Sequence, residues 1–179
     1  MATALSHPER IERLLVLDMA PVAYEASEPQ WAAIESVVTA MRSVNLPSIR
    51  SKRDADQQLS RSVSDASLRA FVLMNLVRSN ADAGGVAGFE WRINLEAIVD
   101  ALPALARWDG VPDTIYGRNT LFVGGGKSRF LRSSHLPVIE QYFSRFSLAT
   151  IRTADHWIHA DEPDALVLIA TRFLAAKAS

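Results

Sequence analysis

The stretch Arg10 to Val22, RIERLLVLDMAPV, decides the fold. Leu14-Leu15-Val16-Leu17 is continuously apolar rather than alternating, as expected of a strand covered on both faces of a parallel sheet. Asp18 follows at the strand's C-terminal end, the edge where open α/β sheets place their sites. Its carboxylate there could orient and stabilise an imidazolium. Equally, it reads as a turn aspartate accepting backbone N–H bonds before Pro21.

Two further runs repeat the pattern. Thr120-Leu121-Phe122-Val123 ends on Gly124-Gly125-Gly126, and Leu148-Ala149-Thr150-Ile151 forms a weaker third strand. A loop and then helical periodicity follow each, which is the β-loop-α rhythm of a parallel α/β sheet. Between the first two strands lies a long helical stretch. Trp31, Ile34, Val37, Val38 and Met41 recur at helical spacing within Gln30 to Asn45. Asp65 is placed to cap a helix carrying Leu68, Phe71, Val72, Asn75 and Leu76, and Asn94 one running through Ile98 to Leu102. Asn80 to Gly88 reads as a flexible turn. The last helix starts near Pro163, after Asp161-Glu162, both suited to a helix N-terminus.

The totals narrow the function. A chain of 179 residues, 49% hydrophobic, can bury one globular core. A formal net charge of -1 with mixed signs leaves no electrostatic footprint for nucleic acid or anionic lipid. The absence of cysteine excludes disulfides, thiolate catalysis and cysteine-based zinc sites within these residues. It is compatible with an intracellular compartment. No run approaches the ~20 apolar residues of a membrane-spanning helix. Ala2 to Leu5 read as the tail of a helix that Ser6-His7-Pro8 stops. Together with the open apolar edge of the first strand, this suggests that sequence is missing upstream.

ADHWIHADEP (Ala154 to Pro163) carries the chemistry of the third strand's end. His156 stands between strand and helix, where a neutral imidazole can take a proton from a nucleophile and return it to a leaving group. It also reads as a loop histidine making local hydrogen bonds. His159 permits a metal reading with His156, Asp155 or Asp161, although the spacing fits no known zinc motif. Gly126-Lys127-Ser128 after a strand hints at a phosphate loop. That pattern requires glycine at position 121, which is Leu121, and a helix starting at the lysine.

Four stretches, RIERLLVLDMAPVAY, LVRSN with FEWRINLEAI, NTLFVGGGKSRF and ADHWIHADEPDAL, together resemble the α/β-hydrolase superfamily. More narrowly, they are similar to the small esterases that pair a bacterial acyl-CoA esterase group with the mitochondrial abhydrolase group. The resemblance implies the C-terminal half of that fold: three parallel strands with flanking helices and a helical cap insertion. Residues 1–24 with 103–179 would be the partial core, and 25–102 the cap. It implies that His156 is the catalytic histidine and Asp18 its acid. Glu96 and Ser128 are alternative partners, the latter standing where most members carry the aspartate. Asp155 replaces the usual glycine before the histidine. Trp91, Phe71 and Leu76 would either line an acyl pocket or form ordinary cap core.

The serine of the family's Gly-x-Ser-x-Gly elbow has no counterpart in these residues. By the resemblance, the chain is then a fragment of a serine hydrolase acting on small acyl esters or thioesters, inactive alone. A truncated gene model, one half of a split hydrolase pairing with an N-terminal half, and a non-catalytic acyl-ligand-binding protein are the competing forms. No metal or organic cofactor is implied. The resemblance points to the cytoplasm, or to the mitochondrion in a eukaryote.

Overall fold

A computed structural model describes residues 1–79 and 88–176. In chain order it shows α1 (Ala2–Ser6), β1 (Leu14–Leu17), α2 (Pro29–Arg42), α3 (Lys52–Leu59) and α4 (Ala66–Leu73). There follow β2 (Leu76–Arg78), β3 (Phe89–Trp91), α5 (Leu95–Leu105), β4 (Thr120–Gly125), α6 (Leu136–Tyr142), β5 (Phe146–Ile151), α7 (Ile158–Asp161) and α8 (Pro163–Ala175). They divide into two compact units, Met1–Ala23 with Trp108–Ser179, and Tyr24–Arg107.

The first unit is built on a parallel sheet in the order β1-β4-β5. Leu14 to Leu17 pair with Thr120 to Val123, and Thr120 to Gly125 pair with Phe146 to Ile151. β4 is buried throughout, which is why its sequence is apolar without alternation. One face of the sheet packs Val16 and Phe122 with Leu5, Ile139 and Phe143. On the other face Leu121, Val123 and Ile151 meet Ile158 and the Ala165, Leu166, Ile169 and Phe173 stripe of α8. The third strand begins two residues before the expected Leu148, because Phe146 completes the ladder opposite Thr120. Among the described residues β1 pairs only with β4, so its outer edge carries no strand.

The second unit is mainly helical. Its core gathers Met41, Ala55, Leu59, Val72, Leu76 and Leu95, with Trp91 packed against them. Asp65 caps α4 by accepting the Ser67 and Leu68 N–H groups at 2.8 and 3.1 Å. Asn94 caps α5 through the Ala97 N–H at 3.1 Å. The expected continuation of α4 through Asn75 and Leu76 is not found. The helix ends at Leu73, and Leu76 opens β2, an antiparallel partner of β3. The turn expected over Asn80 to Gly88 lies outside the described residues except for Gly88. Tyr24 and Ala106, at the two ends of this unit, are joined by a 2.8 Å backbone hydrogen bond. Among the described residues no helix is long and apolar enough to cross a membrane.

Candidate active site

The parallel register brings the ends of β1, β4 and β5 to one edge of the sheet. Asp18 leaves β1 with its N–H donated to the Val123 carbonyl at 2.7 Å. Its φ of 47° lies in the left-handed region, which aspartate enters more readily than most residues, at a backbone cost of roughly 1–2 kcal/mol. The side chain is 1% exposed. A carboxylate so buried is costly unless its oxygens are satisfied.

Three donors satisfy it. Oδ1 accepts the Gly125 N–H at 3.1 Å, while Oδ2 accepts the Ser128 hydroxyl and lies 2.8 Å from His156 Nδ1. Facing a carboxylate, Nδ1 carries the proton, so Nε2 is left as the acceptor. The His156 side chain is about one-third exposed against 1% for that of Asp18. The acid is therefore sealed, while the base keeps a face to the outside.

The loop that carries His156 is held from both sides. Its N–H bonds the Asp155 carboxylate at 2.8 Å, and the Asp155 N–H bonds Asp161 Oδ2 at 2.8 Å. Asp155 thus closes a turn within a loop where glycine had been the expectation. The close-approach glycines lie across from it on the β4 side. A Cβ on Gly125 would fall 2.3 Å from the Asp155 carbonyl oxygen, and one on Gly126 2.6 Å from Arg152 Cα. The Phe130 ring lies 4.1 Å from the imidazole, centroid to centroid, tilted by 33°.

The same geometry answers the phosphate-loop reading. The Gly125 N–H is spent on Asp18, and those of Gly126, Lys127 and Ser128 on the carbonyls of Ile151, Ala154 and Gly125. No N–H of this turn is left to cradle an anion, and no helix begins at Lys127. Among the described residues no three His, Asp or Glu side chains group as a metal site. Glu96 sits in the first turn of α5, ion-paired with Arg42 at 3.2 Å. Leu76 and Trp91 belong to the core of the second unit, whereas Phe71 is exposed. The roles of the Gly125 N–H and the Phe130 ring had no signal in the sequence. Both depend on how the loop after β4 curls across the end of β1.

A three-stranded parallel sheet with a buried acid and a histidine at its C-terminal edge defines a class. The solved structure of a marine microorganism esterase superposes with a TM-score of 0.89 at 25% identity, over 95% of this chain and 63% of that one. The chain belongs to the α/β-hydrolase superfamily and corresponds to the C-terminal part of its members. It is 37% identical over 165 residues to the sn-1-specific diacylglycerol lipase ABHD11 of Danio rerio, covering 91% of this chain and 49% of the lipase. To the esterase YbfF of Escherichia coli strain K12 it is 24% identical over 174 residues, covering 97% and 62%. The chain thus spans about half the length of the curated relatives first matched. No protein-family model matches it.

Proposed function

We propose that this chain carries the acid–base part of a serine-type hydrolase of carboxylic esters or thioesters. His156 is the general acid/base and Asp18 the buried acid that orients it. The single observation behind this reading is the 2.8 Å approach of Asp18 Oδ2 to His156 Nδ1. In the proposed reaction Nε2 accepts the proton of a hydroxyl nucleophile as that oxygen attacks the acyl carbonyl. It then returns the proton to the departing alcohol or thiol. Asp18 accepts the Nδ1 hydrogen bond and stabilises the imidazolium between the two transfers. The names of the relatives, a lipase and esterases, support an acyl substrate. The helical unit is read as the cap insertion of this superfamily.

The described Gly-rich turn offers no serine in a Gly-x-Ser-x-Gly setting, nor does any other part of these 179 residues. Without nucleophile and oxyanion donors, base catalysis alone does not turn over an ester. The purified chain, assayed with p-nitrophenyl butyrate, is therefore expected to show no turnover above that of His156→Ala. Turnover that the substitution abolishes would overturn the inactivity of the isolated chain. Turnover that it leaves untouched would overturn the role of His156.

A further inference from the structure

The loop after β4 does more than end a strand. Between Gly125 and Phe130 it gives Asp18 an N–H and a hydroxyl, and it gives His156 an aromatic face. Phe130 itself is 5% exposed, and its N–H bonds Ser128 Oγ at 3.2 Å. Its backbone is thus tied to the same hydroxyl that holds Asp18. An imidazole turns about two side-chain torsions, and the second is broad. A single hydrogen bond to Asp18 sets the ring only while it is made, and the imidazole can turn about its second torsion whenever that bond opens. An aromatic ring whose centroid lies 4.1 Å from that of the imidazole, tilted by 33°, restricts this freedom.

We infer that Phe130 is a positioning residue that holds the His156 ring with Nδ1 toward Asp18. This rests on the reading of His156 and Asp18 as the acid–base pair. Phe130 acts through the imidazole. A flat ring is required of it, since a branched aliphatic side chain does not offer the tilted aromatic surface that lies against the imidazole. The charged and titratable groups nearest the ring in sequence are Lys127 and Arg129 on its own loop. Those on the facing loop are Asp155, His159 and Asp161, and Asp18 comes from β1. All of them remain in the Phe130 variants below.

The test is imidazole 15N–1H correlation spectroscopy on the full 179-residue chain. His156→Gln assigns the signal among the four histidines. The wild-type neutral ring is expected as the Nδ1–H tautomer with a downfield, slowly exchanging Nδ1 proton, and Asp18→Asn is expected to remove that signature. Phe130→Leu should lose the slow Nδ1 proton and move the ring toward the Nε2–H tautomer of free imidazole. Phe130→Tyr should restore the wild-type pattern. Amide signals of β4 and β5 show that each variant is folded. Should Phe130→Leu fail to fold, Phe130→Met is read in the same way.

If Phe130→Leu is folded and keeps the wild-type tautomer and exchange, the inference on Phe130 is wrong while the pair stands. If the wild type itself lacks the Nδ1–H signature, or Asp18→Asn leaves it unchanged, the pair is wrong and the inference falls with it.

Discussion

Asp18 was legible in the sequence as a carboxylate at a strand end, and His156 as a histidine at another, but not their pairing. Two residues 138 positions apart meet because β4 lies between their strands. No local pattern encodes that. Ser128 was noticed as the place where many relatives carry the acid, and it stands beside Asp18 as a donor rather than a carboxylate. The glycines read as a strand end; their stricter meaning is that Gly125 passes against the backbone of Ala154 and Asp155. Gly125→Ala would drive a methyl into a carbonyl oxygen that cannot rotate away. It is expected to lower stability by about 1–3 kcal/mol, as overpacking does. Urea denaturation measures the loss, and the His156 amide shift should report displacement of its loop.

Among the elements, legibility followed the strength of the local signal. The capped helices after Asp65 and Asn94 were found because a capping side chain precedes an apolar stripe. β2 and β3 escaped because three residues are too few to show alternation. α3 escaped because KRDADQQL buries only Ala55 and Leu59. Its start is set by a reciprocal cap instead. Ser51 Oγ accepts the Asp54 N–H at 3.2 Å, and Asp54 Oδ2 accepts the Arg50 and Ser51 N–H groups at 2.7 and 2.9 Å. These bonds, that from Arg50 foremost, hold the Asp54 carboxyl below its ordinary value. A depressed folded value means the cap's contribution is present above the ordinary carboxylate range and lost as pH falls through the folded one. Asp54→Asn should therefore be less stable than wild type at neutral pH. The gap should close below about pH 4, as followed by thermal melts across an acid series.

At the scale of the molecule the parallel sheet was foreseeable, since continuous apolar strands and β-loop-α order leave few alternatives. The helical stretch between the first two strands carries its own core and forms a second compact unit. Among the described residues β1 has an open edge, and Leu17 is 37% exposed. On α8, Val167, Leu168 and Leu174 are each more than half exposed. Unpaired apolar edges invite association with another chain. Sedimentation velocity on the isolated chain is expected to show concentration-dependent self-association. Leu17→Lys should reduce it, because a charge at the edge resists strand addition; unchanged association would place the contact elsewhere.

The hydrogen bond between Tyr24 and Ala106 has a consequence for how the chain finds this sheet. β1 and β4 are separated by about one hundred residues, and bringing such distant segments together costs chain entropy and slows folding. Because the intervening unit returns to its own starting point, its collapse shortens the span to a few links on either side. β1 can then meet β4 almost as near neighbours along the chain. Asp18 and His156 can pair only once β1, β4 and β5 lie side by side, so their contact requires the whole three-stranded ladder.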